Sequence, residues 1–151
     1  MKNNAILINA IYLCLFVFVF GGSDINAQEE KVFAEHKFVL QISDMDPSKQ
    51  TLVLNVANNI MKHYGPDNAD VEIVAFGPGL RLLFEDNSNS DRIQGLVTGS
   101  GVRFSACNNT ITTMSKILGH ELALNSNATV VSAGVVRLKE LADLGYFLVK
   151  P

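Results

Sequence analysis

Tryptophan is absent from this 151-residue chain, cysteine occurs only twice, and charged residues make up just 18%. Two cysteines cannot build a disulfide-dense scaffold. Basic residues are too few for a nucleic-acid binder. Twelve Lys and Arg stand against fifteen Asp and Glu, for a net charge of −3. No electrostatic pull toward phosphate backbones or acidic lipid is expected from that balance. The metal patterns HxH, HExxH and CxxC are missing, as are the GxSxG elbow and the dinucleotide and Walker loops. Neither a metal centre, a serine hydrolase nor a nucleotide site is therefore expected, and no cofactor is implied. What the chain does have is apolar content, 48% of residues with mean hydropathy +0.20. That excludes disorder, and the length fits one domain.

The apolar content is unevenly placed. Residues 5–20 read AILINAIYLCLFVFVF, preceded by Lys2 and followed by Gly21-Gly22-Ser23-Asp24 and then Ile25-Asn26-Ala27. This is the three-part layout of a secretory signal peptide, predicted to be cleaved after Ala27. The run is short of the about 20 residues of a membrane span; an uncleaved anchor is the alternative. Export to the periplasm or beyond is the expectation, with no membrane attachment once residues 1–27 are gone. The remaining 124 residues keep a charge of −3 but lose Cys14. A lone thiol, Cys107, is left in an oxidising compartment, and no disulfide within one chain can form.

Residues 28–36 read as a flexible polar lead-in, and 37–151 as one domain. Lys37–Ile42 is β-rich. Asp46-Pro47 is a helix start, Asp as cap and Pro in the first turn. Leu52, Val53, Val56, Ala57, Ile60, Met61 and Tyr64 then share a face up to Gly65-Pro66. Further strands are predicted at 71–76, 102–106, 129–131 and 146–149. Helical stretches fall at 80–84, 91–100, after Asn108-Asn109-Thr110 up to Gly119, and from Val135 to Ala142. Strand and helix alternate, and the strands are short and apolar. The pattern predicts an α/β domain: a mostly parallel five-stranded sheet covered on both faces, a flavodoxin-like three-layer αβα sandwich.

In such a sheet every strand-to-helix turn lies at one edge, where sites form. Those turns are Ser43-Asp44, Gly77-Pro78-Gly79, Cys107-Asn108-Asn109 and Ala133-Gly134. Cys107 sits between a strand end and a helix start, where helix N–H groups favour a thiolate. Two readings of it stand: an activated nucleophile, or a small buried hydrophobe at a turn. Gly77 and Gly79 offer backbone to an anion, or simply turn the chain. Asn108 and Asn109 belong to the same edge. His36, His63 and His120 are scattered. Arg103 reads as a solvent or interface charge, and Arg137 as a surface ion pair with Glu140 or another neighbour. Two tripeptides beginning at Asn108 and Asn127 match the glycosylation sequon.

Four segments together resemble the DsrE/DsrF-like family, and most closely its exported members labelled as intracellular sulfur oxidation proteins. They are HKFVLQISDMDP at 36–47, DVEIVAFGPGL at 70–80, GVRFSACNNT at 101–110 and AGVVRLKELADLGYFLVKP at 133–151. The resemblance spans about residues 36–151. It implies a three-layer αβα sandwich and assembly into homotrimers or homohexamers. It also implies a single cysteine that accepts and passes on a persulfide sulfur, here Cys107, with a sulfur donor or acceptor protein as partner. The export signal departs from the cytoplasmic relay members and points to a periplasmic thiol or sulfur carrier. The alternatives are a non-catalytic oligomeric binding module with a buried Cys107, and a redox-sensing thiol.

Overall fold

The computed structural model describes residues 30–31 and 33–151. The expected signal peptide, residues 1–27, and Cys14 lie outside them. Five strands, β1 (His36–Ile42), β2 (Ala69–Ala75), β3 (Arg103–Cys107), β4 (Ala128–Val131) and β5 (Phe147–Val149), form one sheet in the order β4-β3-β2-β1-β5. Every pairing is parallel. The helices are α1 (Pro47–Tyr64), α2 (Ser90–Ser100), α3 (Asn108–Leu118) and α4 (Gly134–Asp143), with a 3-10 helix over Gly77–Leu83. This is the predicted α/β sandwich.

The layers follow from chain direction. From β1 to β4 the chain steps across the sheet the same way three times. Right-handed crossovers therefore put α1, α2 and α3 on one face. After β4 the chain returns past β3, β2 and β1 to β5, so α4 lies on the other face. The first face holds the main core, in which Leu40, Ile73 and Phe104 from the strands meet Val53, Leu54, Ala57 and Ile93 from α1 and α2. The second face has a small apolar cluster, Val39, Val74, Leu138, Leu141 and Tyr146. Covering is thus unequal. A single helix guards the second face, and the edge strands leave Val130, Phe147 and Leu148 exposed.

Local signals explain the boundaries. Asp46 caps α1 by accepting the Ser48 N–H at 2.7 Å, with Pro47 in the first turn. Gly101 and Gly119 close α2 and α3 in the left-handed conformation, which costs glycine little. The α1 face is rotated from the expected one: Leu54 is fully buried and Leu52 is 44% exposed. The 3-10 helix begins at Gly77, not at Leu80, because Pro78 fits a first helical turn.

The rest of the second face is charged. All seven residues of β2 are buried, and strand alternation points Asp70 and Glu72 toward α4. Glu72 pairs in register with Arg103 on β3. Arg103 is 4% exposed. Its Nη1 donates to Asp70 at 2.6 and 2.8 Å, and its Nε and Nη2 to Glu72 Oε2 at 3.2 and 3.0 Å. The Tyr146 hydroxyl donates to Asp70 at 2.6 Å and accepts from Arg103 at 3.1 Å. Arg103 is therefore no solvent charge: two buried carboxylates from the neighbouring strand neutralise it. Arg137 likewise reaches inward. It donates to both oxygens of Glu72 at 2.8 Å and to Glu30 at 2.9 Å, with Glu140 only at 3.7 Å. Among the described residues no buried side-chain polar atom lacks a partner.

The lead-in is pinned to the fold at Lys31. Its N–H donates to Asp70 at 2.9 Å, and its ammonium to the carbonyls of Pro66 and Ser100 at 2.5 and 2.9 Å. The Ser100 carbonyl closes α2, where a cation is favoured, and Pro66 follows the Gly65 cap of α1.

Removing one partner of a buried ion pair leaves the other uncompensated. Arg103→Leu is expected to lower stability by about 3–5 kcal/mol in denaturant titration at neutral pH. Burial raises the Glu72 pKa, but the hydrogen bonds from Arg137 and Ser105 and the charge of Arg103 outweigh it and hold it below the usual carboxylate range. That stabilisation is present above about pH 4.3 and is lost as pH falls through the folded value. Wild-type stability should therefore decline in acid. An Arg103→Leu protein as stable as wild type at pH 7 would contradict this account of the network.

Candidate functional site

Crevices in an open α/β sheet form at the carboxyl edge, between strands whose following helices leave toward opposite faces. Here those strands are β3 and β4, because α3 covers one face and α4 the other. Cys107 stands at that place. It is the last residue of β3 and the cap residue before α3, with φ −70° and ψ 115°. Alternation along β3 puts Cys107 on the same face as Arg103 and Ser105, the α4 face.

Two helix N-termini converge on its sulfur. The Asn109 and Thr110 N–H groups at the start of α3, the Gly134 N–H at the start of α4 and the Thr110 hydroxyl are the groups that favour its charged form. Burial pushes the thiol pKa up. The hydrogen bonds of Thr110, Gly134 and Asn109 outweigh burial and bring it below the ordinary value. Each donor favours the charged form, and the aligned peptide dipoles of two helices add to the effect.

The Thr110 hydroxyl is itself oriented. Its Oγ1 accepts the Gly77 N–H at 2.9 Å, which leaves the hydroxyl hydrogen for the sulfur. Gly77 thus serves the site through Thr110. It sits at φ +53°, a conformation that favours glycine. Gly79 is buried, and a Cβ there would lie 2.4 Å from the Ile42 carbonyl oxygen. It permits close packing at the strand ends and presents nothing to a ligand. Gly134 has a similar constraint: a Cβ would come 2.8 Å from the Phe76 ring. Any larger residue would push the start of α4 off Phe76 and its N–H off the sulfur.

Asn109 acts through its backbone N–H, while its side chain and that of Asn108 are exposed. His36 and His63 pack against Tyr64, with ring centroids 4.0 and 4.6 Å away, at the opposite end of the sheet. Among the described residues no group of three His, Cys, Asp or Glu is placed to hold a metal ion. No helix among them is long and apolar enough to cross a membrane.

Cys107 itself is 5% exposed. An uncharged groove of about 350 Å³ lies along α3 and the Gly77-Pro78 turn, lined by Gly77, Pro78, Thr110, Thr113, Met114 and Ile117. A smaller hollow of about 200 Å³ opens on the α4 face, with Ser105, Thr129, Val131 and Arg137 around it. Larger depressions lie away from the thiol, at Lys31 and Gly101, at Arg81 and His120, and at Thr112 and Lys116. The sulfur, set between the starts of α3 and α4, is where the chemistry of this edge is concentrated.

Fold and site together define an α/β sandwich with a hydrogen-bonded thiol at its topological switch point. No protein-family model and no curated protein matches the chain. Among solved structures it is similar to MTH1491, a protein of unknown function from Methanobacterium thermoautotrophicum. The two are 29% identical with a TM-score of 0.67, over 77% of this chain and 99% of that one.

Sequence reasoning found Cys107 from its place between strand and helix. It did not assign the Thr110 hydroxyl or the Gly134 N–H to the sulfur. Thr110 lies one helical turn after Cys107, which was a usable signal. Gly134 reaches the sulfur only through the return of α4.

Thr110→Val keeps the shape and removes the hydroxyl donor. Alkylation of Cys107 by iodoacetamide at pH 7 should slow by roughly three- to tenfold, a charge-assisted hydrogen bond having been lost. An unchanged rate in the folded variant would remove Thr110 from the site.

Proposed function

We propose that this protein is an exported DsrE/DsrF-like sulfur carrier that holds sulfane sulfur on Cys107. The observation that carries the reading is the place of Cys107 at the end of β3 and the start of α3, where groups from the starts of α3 and α4 favour its thiolate. A thiolate held in this way is both available as a nucleophile and stabilised as a leaving group. Those are the two roles that a carrier alternates.

The chemistry balances without an external oxidant. The Cys107 thiolate attacks the outer sulfur of a donor persulfide, R–S–SH. The donor S–S bond breaks, R–S⁻ leaves, and Cys107–S–SH forms. In the return step an acceptor thiolate attacks the outer sulfur, and Cys107 departs as thiolate, the form its surroundings favour. The groove along Pro78, Met114 and Ile117 carries no ionisable side chain, so it suits a donor or acceptor whose reactive sulfur is set in uncharged surface. Assembly as a homotrimer or homohexamer and a periplasmic location belong to this proposal. The exposed apolar residues of β5 and of the last turn of α3, Phe147, Leu148 and Ile117, support contact between copies.

The low exposure of Cys107 favours a second reading, a non-catalytic assembly module with a buried structural thiol. Intact mass separates the two. After incubation with inorganic polysulfide, the carrier gains one sulfur, roughly 32 Da, and Cys107→Ala does not. An unmodified wild-type mass, with a thiol that resists alkylation until the protein is denatured, supports the structural module instead.

A further inference from the structure

We propose that Glu72 is a positioning residue for Cys107: it fixes the start of α4 against the end of β3, so that the donors from two helices meet on one sulfur. The inference rests on the reading of Cys107 as a reactive thiolate.

The geometry is specific. Glu72 is 1% exposed, and its two oxygens accept five hydrogen bonds. Oε1 accepts from the Ser105 hydroxyl at 2.6 Å and from Arg137 Nε at 2.8 Å. Oε2 accepts from Arg137 Nη2 at 2.8 Å and from Arg103 Nη2 and Nε at 3.0 and 3.2 Å. Ser105 lies two residues before Cys107 on β3, and Arg137 lies three residues after Gly134 on α4, within one helical turn. One carboxylate therefore grips both elements whose ends build the thiol site, each within three residues of it.

Among the described residues, no other side-chain hydrogen bond holds the first turn of α4. Its buried side chains, Leu138 and Leu141, come after Arg137, and Val135 and Val136 are exposed. Gly134 has no side chain and only rests on Phe76. The Arg137–Glu72 contact is the polar anchor nearest the Gly134 N–H. The charged groups facing Glu72 are Arg103 from β3 and Arg137 from α4. Asp70 and Tyr146 bind the far side of Arg103, and Glu30 the far side of Arg137. Asp70 belongs to the same network yet contacts neither Ser105 nor Arg137 in the hydrogen bonds described, so it serves as an internal control.

The test is the pH profile of Cys107 alkylation in the full chain, compared among wild type, Glu72→Gln, Arg137→Met and Asp70→Asn. Cys107→Ser gives the background from Cys14. Glu72→Gln and Arg137→Met should raise the midpoint and slow the reaction at pH 7 by roughly tenfold, equivalent to about one pH unit. Asp70→Asn should lower the melting temperature but keep the wild-type midpoint. Arg137 is the less buried partner, so Arg137→Met carries the test if Glu72→Gln does not fold. Two results overturn the proposal: a wild-type midpoint in a folded Glu72 or Arg137 variant, or an equal shift in Asp70→Asn. A wild-type midpoint already in the ordinary thiol range overturns the carrier reading together with it.

Discussion

The direction of the chain reverses once, after β4, and the site depends on that reversal. Three crossovers in one direction stack three helices on one face, and the fourth must return over the other. Helices leave the adjacent strands β3 and β4 toward opposite faces, and their N-termini are left facing each other across the carboxyl edge. A side chain at the end of β3 then receives N–H groups from both. Cys107 occupies that position. That the starts of α3 and α4 both act on its thiolate is a consequence of topology before it is a matter of residue choice.

The reversal also has a cost. One helix must cover a face that three helices cover on the other side, and α4 buries only a small apolar cluster there. The rest of the central strand on that face is filled by Asp70 and Glu72, neutralised by Arg103 and Arg137. Buried ions stabilise less than apolar packing of the same volume, because desolvation offsets their attraction. What they add is geometric definition. Each guanidinium has a fixed fork of donors, and Glu72 accepts from two of them. The polar half of the face therefore holds β2, β3 and α4 in one register where apolar contacts are few.

Much of this is legible in the sequence. Strand and helix alternate in the apolar pattern, Asp46-Pro47 starts α1, and Gly101 and Gly119 end their helices. The place of Cys107 follows from those assignments. The charge network does not. Asp70 and Glu72 alternate with Val71 and Ile73 just as a solvated strand face would, and Arg103 and Ser105 flank Phe104 in the same way. Only the pairing of Glu72 with Arg103 turns two apparently wet faces into one dry network, and that pairing is a long-range fact. The same holds for Gly134, which lies 27 positions after Cys107 and meets it only when α4 folds back. Leu52 and Leu54 show a smaller version of the problem: both are apolar, and the sheet decides which is buried.

The central claim is that the fold stabilises Cys107 as a thiolate. A thiolate-absorbance titration of the wild-type chain, with the signal of Cys107→Ser subtracted to remove Cys14, reads that directly. The account predicts a midpoint clearly below the free-thiol value of about 8.5. A midpoint at or above that value would contradict it, because burial would then outweigh the converging donors.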